Sequence, residues 1–215
     1  MSDFIVHGIP GSPYVRSALL ALEEKGLPYT IAAMPFGGHK TPEYRAINPF
    51  ARIPTMDHGD FRLYETQAIL RYLDRIAPNP SMTPTDPRQE ARMNQIVGIS
   101  DCYVFPDISA CIAFFRLFAP RFGMPVDEGR IADALPRAQV CIDEIARLMG
   151  TQQFMAGEAL SIADLTIVPH LSYFGQTEEG RTMMGPHPNL MGWLGRMNAR
   201  PSMMKTTAER LMAAG

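Results

Sequence analysis

The first third of the chain alternates short apolar runs with amphipathic stretches. DFIVH (3–7) is short and β-prone and reads as a strand. Val15, Leu19 and Leu22 recur at helical spacing over 13–26, and Gly26 is placed as a C-cap. YTIAAM (29–34) reads as a second strand, FGGHKTPEY as a loop, and 42–47 as a short helix. PTMDHGDFRLY (54–64) divides into two short strands around the turn His58-Gly59-Asp60. The spacing then predicts a helix over 65–77, with Ile69, Leu73 and Ile76 on one face.

The pattern changes at PNPSMTPTDPR (78–88), which carries four prolines and no periodicity and reads as a linker. Everything beyond it has helical spacing. In 127–149, Ile131, Leu135, Ala138, Ile142, Ile145 and Met149 recur at steps of three and four around an internal Pro136, which predicts a kink. Ser161 and Asp164 are spaced as a capping box that opens a helix through Val168 and Leu171. PNLMGWLGRMNARP (188–201) and SMMKTTAERLMAA (202–214) read as two further helices. The expected organisation is an N-terminal α/β domain over 1–77, a linker over 78–88 and an all-helical domain over 89–215. The β-α-β-α-β-β-α order makes the first two strands parallel by the crossover rule and the last two an antiparallel hairpin, a thioredoxin-like arrangement.

Composition narrows the chemistry. Forty-six per cent of the 215 residues are hydrophobic and the formal charge is −2, so a core is available and a nucleic-acid-binding face is disfavoured. No apolar run is read as long enough to cross a bilayer, and the N-terminus carries no secretory pattern, so no membrane partner is expected. Cys102, Cys111 and Cys141 are odd in number and widely spaced, which fits free thiols in a reducing, cytoplasmic compartment. The five histidines are scattered and no metal-binding spacing occurs, so no metal is expected. No Walker-type, GxGxxG or G-x-S-x-G pattern is present.

The candidate chemistry sits where the first strand becomes the first helix, in HGIPGSPYVRS (7–17). Pro13 suits the first helical turn, because its missing N–H would be unpaired there. Ser12 is therefore the N-cap residue, and capping alone would account for it. A helix N-terminus also stabilises an anion such as a thiolate, and a hydroxyl aimed at the same point adds a charge-assisted hydrogen bond. The protein's cysteines lie far along the chain, so such a thiol would come from a bound ligand.

Taken with HGIPGSPYVRSALLALEEKGLPY, GGHKTPEYRAINP and NPFARIPTMDHGDFRLYETQAILRYL, the proline-rich linker, the S-x-A-D box and PNLMGWLGRMNARP, the chain closely resembles the cytosolic glutathione transferases over nearly its whole length. The nearest classes are the serine-type ones, phi and theta-like bacterial. The resemblance implies a thioredoxin-like N-terminal domain followed by an all-α C-terminal domain, with glutathione as co-substrate. It implies that Ser12 donates to the glutathione sulfur and that Ile53-Pro54 is the family's hydrophobic–cis-proline pair, which meets the cysteinyl part. Glu65 and Thr66 match the pair that takes the γ-glutamyl end. His39 and Lys40, with Arg52, match the side that reaches the glycine carboxylate. Threonine at 66 replaces the commoner serine and keeps the hydroxyl. The first-helix site has no cysteine, which disfavours the disulfide chemistry of the cysteine-type classes. Tyr14 ranks second to Ser12 as a hydroxyl, and Asp164 is assigned to folding.

The implied activity is attack of the glutathione thiolate on an electrophilic, apolar small molecule, by a cytoplasmic homodimer. The electrophile is expected against the helix after the linker, where Tyr103, Phe105, Ile108, Ile112 and Phe115 are candidates. Two rival readings stand beside this one. The first is a non-catalytic glutathione-binding or interaction module on the same fold. The second is a glutathione-dependent isomerase or dehalogenase that shares the site.

Overall fold

The computed structural model of the protein describes residues 3–213. By backbone contacts the chain forms two compact units, Met1–Met82 with Ala199–Gly215, and Thr83–Asn198. The C-terminal stretch after Asn198, expected with the helical part, thus groups with the first unit.

The first unit is built on β1 (Phe4–Gly8), α1 (Pro13–Lys25), β2 (Tyr29–Ala33), α2 (Pro42–Arg45), β3 (Thr55–His58), β4 (Phe61–Tyr64) and α3 (Thr66–Ile76). The strand order is β2-β1-β3-β4. β1 runs parallel to β2 and antiparallel to β3, and β3–β4 is a hairpin, as the element order predicts. Phe4 and Val6 of β1 and Met56 of β3 are buried, together with Leu19, Leu20 and Leu22 of α1 and Ile69, Leu70 and Leu73 of α3. Ile76, expected on the same face as Ile69 and Leu73, is exposed: it is the last residue of α3, where the helix leaves the core. α1 ends at Gly26 in the left-handed conformation (φ 64°), where a side chain would be strained.

Two short helices close this unit, α9 (Pro201–Lys205) and α10 (Ala208–Ala213), where the sequence predicts one. Thr206 and Thr207 separate them. At the far end of α3, Lys25 Nζ donates to Asp74 Oδ1 (2.6 Å) and to the carbonyls of Ala77 (2.6 Å) and Pro80 (2.5 Å). Asp74 Oδ1 also accepts from the Met82 N–H (2.8 Å), so one buried ion pair fixes the start of the proline-rich segment.

The second unit begins with α4 (Pro87–Ile99), N-capped by Asp86, two residues before the expected end of the linker. The helix continues without a break through Ser100–Phe118 with π-type hydrogen bonding, around Pro106, and ends in a 3₁₀ turn at Ala119–Phe122. α5 (Glu128–Met149), α6 (Ile162–Phe174), α7 (Glu178–Met184) and α8 (Pro188–Asn198) complete it. Pro136 lies inside α5 without ending it. α6 is apolar on all sides, and every residue from Ile162 to Leu171 is buried. Its N-terminus is held by Asp164, whose Oδ2 accepts from the Ser161 N–H (2.9 Å) and hydroxyl (2.8 Å). Asp164 Oδ1 accepts from the Met155 N–H (2.9 Å) and Trp193 Nε1 (2.8 Å). Burial raises the Asp164 pKa, and these four donors oppose the rise.

The expectation that no apolar stretch reaches bilayer-spanning length needs correction. The helix Pro87–Phe122 is long and apolar enough by length and composition, and its buried face supplies Val104, Ile108, Ile112 and Phe115 to the second unit's core. Asp101, Asp107 and Arg116 break that run, which is why the sequence does not read as continuous.

Candidate functional site

The strand register brings the candidate residues of the first unit to one end of its sheet. β1 ends at Gly8, which pairs with Ala33 at the end of β2. His7 pairs with Thr55 at the start of β3, and Thr55 pairs with Tyr64 at the end of β4. Four segments therefore leave the same edge: the turn to Ser12, the loop carrying His39 and Lys40, the approach through Arg52-Ile53-Pro54, and the entry to α3 at Glu65-Thr66.

Ser12 is set by a turn whose sequence is its own signature. The Ser12 N–H donates to the Ile9 carbonyl (3.0 Å), with Pro10 at the second position and Gly11 at φ 94° in the third, the arrangement of a type II turn. A Cβ on Gly8 would collide with Val15, so only glycine lets α1 start this close to β1. Ser12 occupies the N-cap position with extended backbone (φ −63°, ψ 130°), yet its side chain makes no capping hydrogen bond, and no acidic residue stands in the first turn of α1. The first turn thus supplies no carboxylate of its own to the positive end of the helix, and the hydroxyl is not engaged in capping. Tyr14, the rival hydroxyl, is half-buried in that same turn.

The Ile53–Pro54 peptide is cis, as the resemblance implies, and Pro54 and Thr55 are buried. Two residues that sequence reading did not single out hold this approach in place. Tyr44 donates its hydroxyl to the Arg52 carbonyl (2.8 Å) and lies 2.9 Å from Thr55 Oγ1. Asn48, 1 % exposed, donates Nδ2 to the same carbonyl (2.9 Å) and accepts from the Phe50 N–H (3.1 Å) through Oδ1. Ala51 within this loop has φ 51°.

Glu65 stands at φ 72°, ψ 111°, just before α3, a conformation that costs a non-glycine residue about 1–3 kcal/mol. Its side chain is exposed and caps nothing, while Thr66, the first residue of α3, is buried. Two helix N-termini, those of α1 and α3, therefore open at one edge of the sheet, each suited to an anion. On the third side, burial pushes the His39 pKa down, and the neighbouring Lys40 and Arg52 charges push it further. His39 Nδ1 is buried with no hydrogen-bond partner among the described residues. A neutral imidazole between two cations is equipped to take part in binding a carboxylate without adding a third like charge.

The expected electrophile wall divides in two. Ile108, Ile112 and Phe115 are 0 %, 0 % and 7 % exposed and belong to the core of the second unit, a correction to their expected place. The physical reason is periodicity: with Val104 they lie on the inward stripe of the long helix, where apolar residues are core first. Tyr103 keeps 58 % of its surface exposed and Phe105 is half-buried, its ring edge-on to His170. Among the described residues, no group of three His, Cys, Asp or Glu side chains is placed to hold a metal.

Residues 6–81 match the family profile described as glutathione S-transferase, N-terminal domain, and residues 128–196 the one described as glutathione S-transferase, C-terminal domain. A glutathione S-transferase of Silene vulgaris is 29 % identical over 210 residues, covering 94 % of this chain and 96 % of that protein. The crystal structure of glutathione transferase F2 from Populus trichocarpa superposes with a TM-score of 0.86 at 28 % identity, over 99 % of this chain and 100 % of that one. A theta-class glutathione S-transferase from Xanthomonas axonopodis pv. citri, solved with glutathione bound, gives a TM-score of 0.79 at 26 % identity, over 96 % and 98 %.

Proposed function

The chain belongs to the glutathione S-transferase family, and from that premise we propose that it works as a serine-type enzyme in which Ser12 holds the sulfur of glutathione as a thiolate. Glutathione is the co-substrate, and the reaction joins its sulfur to an electrophilic carbon. The observation that carries the reading is a hydroxyl at a helix N-cap that does not cap. Directed at a bound sulfur, it donates one hydrogen bond to the thiolate, and the α1 N-terminus adds its dipole.

The other roles follow the same edge of the sheet. The backbone of Ile53, held through the Arg52 carbonyl by Tyr44 and Asn48, lies against the cysteinyl part. Thr66 and the α3 N-terminus take the γ-glutamyl carboxylate, and Glu65 takes its ammonium. His39, Lys40 and Arg52 take the glycine carboxylate. Tyr103 and Phe105 are the proposed contacts for the apolar electrophile. A homodimer in the cytoplasm completes the proposal. The odd number and wide spacing of Cys102, Cys111 and Cys141 suit a reducing compartment.

The similar proteins named above come from plants and from Xanthomonas axonopodis pv. citri, and the serine-type assignment rests on Ser12 itself. The test is turnover with glutathione across a panel of activated aryl halides, enones, isomerisable enols and organic peroxides, beside calorimetric binding of glutathione. Conjugate formation supports a transferase. Activity confined to isomerisation or halide release assigns the narrower chemistry. Tight glutathione binding with no turnover of any member makes the protein a binding module.

A further inference from the structure

The segment after α8 returns to α1 and is bonded to it near both ends. Toward the C-terminal end of α1, Glu24 accepts from Arg200 Nε and Nη2 (2.8 and 2.7 Å) and from the Ser202 hydroxyl (2.5 Å). Beside it, Glu23 accepts from Lys205 Nζ (2.8 Å). Two carboxylates near the negative end of a helix are unfavourable alone, and these cations offset them. Burial raises the Glu24 pKa, but the Arg200 and Ser202 contacts outweigh it and leave the group below its ordinary value.

The other attachment lies one turn from Ser12. Arg16 is 6 % exposed, its N–H donates to the Ser12 carbonyl (2.9 Å), and its Nη2 donates to the Met203 carbonyl (2.7 Å). Its Nε donates to Thr206 Oγ1 (3.3 Å), and that hydroxyl donates on to the Ser202 carbonyl (2.9 Å). A helical side chain leans toward its own N-terminus, so the guanidinium anchors the first turns of α1, next to Ser12, to the segment at Met203 and Thr206. Ordering a long arginine in a buried site costs rotamer entropy, which a surface helix could avoid by keeping it in water.

We propose that Arg16 is a positioning residue, and that the Met203 carbonyl and the Thr206 hydroxyl, by fixing its side chain, set the direction of the Ser12 hydroxyl toward the thiol. This rests on the reading of Ser12 given above. Thiol ionisation would then depend on residues almost the whole chain away.

The experiment follows thiolate absorbance of bound glutathione against pH in the full-length protein, for wild type, Ser12→Ala, Arg16→Lys, Thr206→Val and Glu24→Gln, with the melting temperature of each. Arg16→Lys keeps the charge and loses the two-point fork; Thr206→Val keeps the shape and loses one acceptor. Both are expected to raise the ionisation midpoint by about half a pH unit or more, with glutathione affinity changed less than about threefold. Glu24→Gln loosens the distant attachment and is expected to lower the melting temperature without moving the midpoint. If Ser12→Ala raises the midpoint toward that of a free thiol but neither Arg16→Lys nor Thr206→Val moves it, the positioning role is overturned and the Ser12 reading stands. If Glu24→Gln moves it as far as they do, the effect is general destabilisation, and the positioning role is again overturned. If wild type shows no Ser12-dependent thiolate, both fall.

Discussion

Replacing Ser12 with alanine separates the two things a serine at this position can do. A free thiol ionises near pH 8.5. A hydrogen bond to a charged acceptor contributes about 1.5–3 kcal/mol, and a helix N-terminus about 0.3–1 kcal/mol. At about 1.4 kcal/mol per pH unit, the two together lower the thiol by roughly 1.3–2.9 units, with a central value near 6.5. The Ser12→Ala enzyme keeps only the dipole, which returns the thiol to about pH 8 and cuts the thiolate at pH 7 from about three-quarters to roughly a tenth. Turnover at pH 7 should fall by about that ratio or more and recover as pH rises toward 9. Glutathione affinity should stay close to wild type, because its charged ends are held elsewhere. Since Ser12 makes no capping bond, stability should change by less than about 0.5 kcal/mol. Stopped-flow conjugation and thiolate absorbance across pH, with urea melts, measure all three. An unchanged thiolate titration, or equal losses in binding and turnover together with a cap-sized loss of stability, would refute the assignment.

Other consequences are as specific. Thr66→Val should weaken glutathione binding about tenfold through one lost hydrogen bond to a carboxylate, with kcat nearly constant; calorimetry and initial rates check it. Asp164→Ala leaves the Trp193 and Met155 N–H groups buried without an acceptor and should cost more than about 3 kcal/mol in denaturant unfolding; a loss below about 1 kcal/mol would contradict the role given to that carboxylate. Burial pushes the His170 pKa down to about 3, while its ring keeps the Ser109 contact (2.7 Å). The unfolded chain binds a proton near pH 6.5 that the native state refuses, so this stability is intact above that pH and is lost progressively from there down to about pH 3. At pH 5 the loss is about 2 kcal/mol, and His170→Asn should remove that part of the acid slope in urea midpoints compared at pH 7.5 and 5.

Much of this was legible in the chain because it is local. The β1–α1–β2 and β3–β4–α3 segments announce themselves through periodicity, caps and the turn at Gly59, and Ser161-x-x-Asp164 is a spacing that one helix turn dictates. The Pro10-Gly11 pair was equally legible as a type II turn and would have fixed the geometry of Ser12 from sequence. What was not legible is non-local or conformational. Tyr44 and Asn48 are ordinary residues until the β3 register brings the Arg52 carbonyl to them. Glu65 gives no sign of its positive φ, which is imposed by the elements on either side. Arg16 and Thr206 meet across 190 positions. Ile108, Ile112 and Phe115 had the right chemistry for a ligand wall, but an apolar stripe on a long helix is used first for the protein's own interior.

The β3–β4 hairpin acts as a ruler. Its two arms are four residues each, joined through Gly59-Asp60, and its two ends deliver Pro54 and Glu65 to the same place. Side chains alternate faces along a strand, so adding or deleting a single residue in either arm would turn every later position to the opposite face. The residue count of the hairpin is therefore as much a part of the site as any side chain in it.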